Sequence, residues 1–263
     1  MPEERSADLN EVAVVRTAGL TYNRGHEIGG GAVKDCKRQT FSRVGLVRIV
    51  ALSMVAFLGL LGVAMTVYPG HDAAAGGYRF CYDFISALGM TRTQGGLDNF
   101  PASVLFNGGL GLAMLILIPY WYVRSDCVRG PRCMRWLAFL FCAGFSLGVF
   151  GVALTPYNLR PELHNLCIYT AFALIVPGIL LMSMGAEESF SGWRYKAFWV
   201  VFAVVLLLAE GLLTGMVKQH VLPSRPVNPL LQKINVMVFV AWVAADLWLF
   251  RAYLSRRTES VRA

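Results

Sequence analysis

The chain has 263 residues, of which 56% are hydrophobic and only 15% charged, and its mean hydropathy is +0.53. That balance excludes a water-soluble globule and makes lipid the solvent for most of the chain. The net charge of +8 does not call for a nucleic-acid partner, because attraction to the anionic lipid of one membrane face accounts for it.

Residues 1–42 are polar, carry Gly29, Gly30 and Gly31 in a row and lack a sustained period, which predicts a flexible basic cytoplasmic tail. The first apolar run starts too far along and is too long for the core of a cleaved signal peptide. From there residues 43–254 read as a transmembrane domain. A spanning helix needs about 20 apolar residues at about 1.5 Å of rise each. Six runs meet that demand, near 44–68, 100–123, 135–155, 164–185, 197–217 and 229–250. They lack the alternation of barrel strands, so the fold class is an all-α integral membrane protein, a six-transmembrane-helix bundle. Residues 255–263 form a short C-terminal tail.

Between the first two spans lies a long connection, residues 68–99, more than a compact bundle needs. Its middle, Tyr82-Asp83-Phe84-Ile85-Ser86-Ala87-Leu88-Gly89, is amphipathic and predicts a short helix stopped by Gly89. The favoured reading is a short interfacial helix lying in the membrane surface, and the alternative is a capped loop helix that lids the bundle. The second span carries Asn107 and the small residues Gly108, Gly109 and Gly111, and the third carries Gly144, Gly148 and Gly151. Such faces let helices approach closely; no strand precedes them, so they are not a phosphate loop. A turn at Thr155–Glu162 leads to His164 and Asn165 at the start of the fourth span, which Pro177-Gly178 is expected to kink. Glu210 lies inside the fifth span. Lys233 and Asn235 open the sixth at a depth where Lys233 can pair with Glu210, while Asp246 near its far end reads as a structural carboxylate snorkelling toward Arg251.

Orientation follows from Lys and Arg. With both termini in the cytoplasm, the outer side keeps only Arg79, Arg92, Arg160, Lys218, Arg225 and Lys233 of the 24 basic residues. Of the cysteines only Cys81 falls in an outer loop, so no outer disulfide forms. Cys127 and Cys133 have no nearby His and make a poor zinc signature, and nothing calls for a metal or another cofactor.

Ionisable and amide side chains in hydrocarbon are costly unless they face one another or a cavity. Ser86, Asn107, His164, Asn165 and Glu210 all fall in the outer half and form the candidate ligand site, an outward-facing polar pocket for a lipid headgroup or small ligand. Interhelical hydrogen bonding that fixes packing is the competing reading, above all for Asn107.

The runs Phe84-Ile85-Ser86-Ala87-Leu88-Gly89 and Pro101-Ala102-Ser103-Val104-Leu105-Phe106-Asn107-Gly108-Gly109, with Leu163-His164-Asn165 and Leu231-Gln232-Lys233-Ile234, carry a resemblance. They resemble a family of six-helix bacterial membrane proteins known as the domain of unknown function number nine hundred and ninety-eight. The architecture is also similar to the damage-regulated autophagy modulator family. The resemblance implies a bacterial plasma membrane, membrane lipids as partners and interest in Ser86, Asn107 and His164, but no settled reaction. Where such families place an acid beside the loop serine, this chain has Ala87. Three activities stay open: a lipid or small-ligand binder, a membrane-embedded hydrolase or transferase with His164 as base on Ser86 and Asp83 or Glu210 orienting it, and a proton-coupled carrier loading Glu210.

Overall fold

The computed structural model describes residues 30–71, 74, 76–186, 190–201, 203–204 and 224–260. The chain divides into residues 1–38 and residues 39–263. In the first unit the described residues, 30–38, are helical; the helical bundle belongs to the second.

The helices are α1 (Gly30–Val67), α2 (Phe100–Ser125), α3 (Arg132–Leu154), α4 (Pro161–Met184), α5 (residues 193–201) and α6 (Ser224–Ser260), with a short 3₁₀ helix, Ile85–Gly89, between α1 and α2. Among the described residues there is no strand, only isolated bridges such as Gly70 with Gly76. Five of these helices are long and apolar enough to cross a membrane: Ser42–Val67, Phe100–Ser125, Arg132–Leu154, Pro161–Met184 and Pro226–Arg256. The crossing predicted at 197–217 begins in α5, but most of it, Glu210 included, lies outside the described residues.

Helix ends follow local chemistry. α1 starts at Gly30, within the segment read as a tail, because Ala32 to Gln39 contains neither Gly nor Pro and propagates the helix that the apolar run nucleates. Proline in the first turn, with its preset φ, opens both α2 (Pro101) and α4 (Pro161). The α2–α3 turn passes through Gly130 at φ 105°, where a side chain is strained, and Pro131 precedes α3. α6 runs on to Ser260, through most of the predicted C-terminal tail.

The predicted small-residue face of α3 packs against α4. A Cβ built on Gly144 falls 2.8 Å from Leu174, one on Gly148 3.2 Å from the Ala171 backbone, and one on Gly151 2.7 Å from Cys167 Sγ. On α2 the glycines diverge: Gly109 faces Leu60 of α1, Gly111 faces Phe150 of α3, and Gly108 meets open space. α2 is the most enclosed span. It touches α1 through Phe106 and Phe57, and α6 through Trp121 stacked on Trp242 at 5.3 Å and Tyr120 edge-on to Phe250. Phe145 of α3 meets Phe239 of α6 at 4.7 Å. Large apolar side chains such as Leu52, Leu112, Leu166 and Trp248 point outward, as a lipid-facing surface requires.

Candidate functional site

The 3₁₀ helix is a lid. Leu88 is fully buried and Ile85 nearly so, and the element packs on α2 and α6. Its carbonyls are satisfied by three side chains spaced four residues apart, and therefore on one face of α2 and its leading turn. Asn99 Nδ2 reaches the carbonyls of Ala87, Leu88 and Met90, the last at 2.7 Å; Ser103 Oγ donates to Gly89 O at 2.9 Å; Asn107 Nδ2 donates to the same oxygen at 2.8 Å and to Ser103 Oγ at 3.1 Å. Gly89 is required here, since a Cβ would fall 2.6 Å from Asn107 Oδ1.

α6 holds the other edge. Gln232 Oε1 accepts the Ile85 N–H at 2.8 Å, and Lys233 Nζ donates to Asp83 O at 2.5 Å and to Pro229 O, with the rings of Tyr78 and Phe80 close by. Asp83 is buried, its carboxylate taken up by the Arg79 backbone N–H at 2.8 Å and guanidinium at 3.3 Å. Burial, with the Asp83 carboxylate nearby, pushes the Tyr78 hydroxyl well above the ordinary tyrosine range, so it stays a donor to Asp83 O. Thr91 and Asn158 exchange hydrogen bonds at 3.1 and 2.9 Å, tying the lid loop to the α3–α4 turn.

Beneath the lid is a cavity of about 230 Å³. Its lid end carries Ser86, Gln232 and Asn235. Its middle is apolar, walled by residues such as Met114, Phe145 and Phe239, and Trp199 and Trp242 line its far end. Trp242 is buried with no acceptor for its indole N–H among the described residues, whereas its stacking partner Trp121 donates to Ser146 Oγ at 3.0 Å.

The candidate residues therefore separate. Ser86 lines the cavity. Asn107 does not; it is committed to holding the lid. His164 is buried at the α3–α4 turn, its Nδ1 2.7 Å from Thr155 O and its ring edge-on to Tyr157, while Nε2 meets no partner among the described residues. No described hydrogen bond joins it to Ser86. Asn165 is half-buried in the first turn of α4 and does not line the cavity, and Glu210 lies outside the described residues. No group of His, Cys, Asp or Glu among the described residues is arranged to hold a metal ion.

Beyond the tryptophan pair lies a charge cluster that the sequence reading misplaced. Asp246 does not snorkel toward Arg251. It is 2% exposed and paired with Arg124, itself fully buried, Nε to Oδ2 at 3.0 Å and Nη2 to Oδ1 at 3.1 Å. The Tyr120 hydroxyl donates to Asp246 Oδ2 at 2.6 Å, Arg124 Nη2 also donates to Met182 O, and the guanidinium lies 3.8 Å over the Phe190 ring. Arg124 is thus an internal cation and not a loop charge. Packing, at 2% exposure, keeps the Asp246 carboxylate from water.

Five helices long and apolar enough to span, with apolar side chains facing outward and charge paired inside, define a helical multi-pass membrane protein. Comparison of the chain with known protein families, with curated proteins and with solved structures finds no match in any of the three.

Proposed function

We propose that this protein houses the hydrocarbon chain of a lipid or lipid-like amphiphile in the cavity beneath the lid, with the amphiphile's polar end at Ser86, Gln232 and Asn235. The observation that carries the reading is the cavity itself, about 230 Å³ with almost wholly apolar walls. An apolar guest there gains dispersion contacts with that lining. Water is a poor filler, since apolar cavities of about 150 Å³ stay dry yet accept apolar guests. Polar groups at one end only favour an amphiphile over a plain hydrocarbon.

The hydrolase reading has less support, because the His164 ring bonds Thr155 O and not Ser86. The carrier reading rests on Glu210 alone. The proposal includes six crossings, both termini in the cytoplasm and the lid on the outer face, which the Lys and Arg distribution favours. It also includes a bacterial plasma membrane, which the family resemblance implies.

Native mass spectrometry after gentle detergent extraction tests the reading. Wild type should retain an amphiphile that Ala203→Phe and Val236→Phe, both filling the cavity, lose while keeping or raising Tm. If both variants retain the same molecule at the same occupancy, the cavity is not its site.

A further inference from the structure

At the opposite end of the bundle, the α2–α3 turn forms a second concavity. It measures about 320 Å³ and is lined by Tyr122, Ser125, Asp126, Arg132, Arg135 and Trp136, with Gly130 at its rim. Its electrostatics are one-sided. The one carboxylate in its lining, Asp126, is engaged by Arg43 from α1 at 2.9 Å. Ser125 Oγ is turned away, donating to Tyr122 O. Arg135 is steadied by its Nε, which donates to Val128 O at 3.1 Å, while no described residue takes its two terminal nitrogens, and Arg132 is exposed at the mouth. Two guanidiniums thus converge on a hollow with no uncompensated acid in its lining.

Below the arginines, Tyr122, Trp136 and Phe139 form a ring cluster with centroids 5.6 to 6.0 Å apart, and Tyr122 and Trp136 stay substantially exposed. Aromatic rings with a polar edge settle at the boundary between headgroups and hydrocarbon. Guanidinium is suited to phosphate through its fork of donors. A basic hollow directly above such a ring cluster has the order of groups found in a phospholipid: phosphate outermost, then the interface, then the chains.

We infer that this hollow binds the phosphate of an anionic phospholipid in the leaflet on the α2–α3 side, through Arg132 and Arg135, with Trp136 and Tyr122 against the glycerol region. The site is separate from the cavity beneath the lid and does not depend on what that cavity holds.

The test uses the full chain in nanodiscs of mixed phosphatidylglycerol and phosphatidylcholine, with lipid ejected on the protein counted by native mass spectrometry. Wild type should retain phosphatidylglycerol over phosphatidylcholine. Arg132→Gln/Arg135→Gln should weaken that retention roughly 30-fold, about fivefold for each arginine. Arg132→Gln alone, which breaks no described hydrogen bond, guards against a merely misfolded double variant and should lose about fivefold. Arg251→Gln, on another helix, should change nothing. Equal retention of the two lipids, or unchanged preference in both Arg132 variants, overturns the inference. Inorganic phosphate that raises the Tm of wild type in detergent as much as phosphatidylglycerol does, and not that of the double variant, also overturns it by assigning the hollow to a free anion. Ala203→Phe should keep the preference intact, so failure of the cavity reading is distinguishable from failure of this one.

Discussion

Replacing Asp246 by Asn removes one charge from a pair that has no access to water and leaves the other in place. Arg124 is fully buried, makes three contacts of 3.0 to 3.1 Å with the Asp246 carboxylate, and has only Met182 O and the Phe190 ring as further described partners. Breaking a buried pair by removing one member costs about 3 to 5 kcal/mol, because the remaining charge keeps its desolvation penalty and loses its compensation. For a chain of this size that is on the order of 10 °C in Tm. Arg124→Met should cost a similar amount, since it leaves the carboxylate with only the Tyr120 hydroxyl among its described partners. The double variant Arg124→Met/Asp246→Leu, which removes both charges and keeps bulk, should recover to within about 2 kcal/mol of wild type. Tryptophan-fluorescence unfolding in detergent supplies the four corners of the cycle, and the coupling should be several kcal/mol. A loss below about 1 kcal/mol for Asp246→Asn, or a double variant as unstable as the sum of the singles, would refute the view that this pair is dry and mutually dependent.

Two further outcomes are expected. Asn99→Ala strips the lid of its reach to three carbonyls and should cost about 1 to 3 kcal/mol, with hydrogen exchange rising at residues 85–90 and not in α3 or α4; uniform protection loss would count against a local lid. Gly148→Val places side-chain atoms against the Ala171 backbone, 3.2 Å from a bare Cβ, and should lower Tm far more than Gly108→Val, which faces open space. Equal effects at the two positions would mean that the α3–α4 approach is not set by the glycine face.

The spanning helices were legible because hydrophobic length is a one-dimensional property. The glycine face of α3 was legible for a similar reason, since Gly144, Gly148 and Gly151 share one side at helical spacing. Asn107 was recognisable as a polar group inside a span, but its task needs Asn99 and Ser103 beside it, and a repeat of four among small polar residues attracts little notice in an apolar run. Arg124 and Asp246 lie 122 residues apart. Each stands near a span end where a local solution, solvent for one and Arg251 for the other, is equally good on paper; only packing of α2 against α6 chooses between them. The cavity had no sequence signal at all, since Met114, which lines it, and Leu112, which faces outward, differ in position and hardly in chemistry.

The tryptophan pair, with Trp121 stacked on Trp242, lies where α2 and α6 cross between the cavity and the ion pair. On one side these two helices are clamped by charge that is costly to separate in a dry interior. On the other they are joined through the lid, by hydrogen bonds from Ser103 and Asn107 to Gly89 and from Ile85 to Gln232, each worth about 1 kcal/mol net. The assembly is built like tongs, with a stiff pivot and a soft latch. Were these two helices to part, the latch would therefore yield first, and the pivot would keep its geometry.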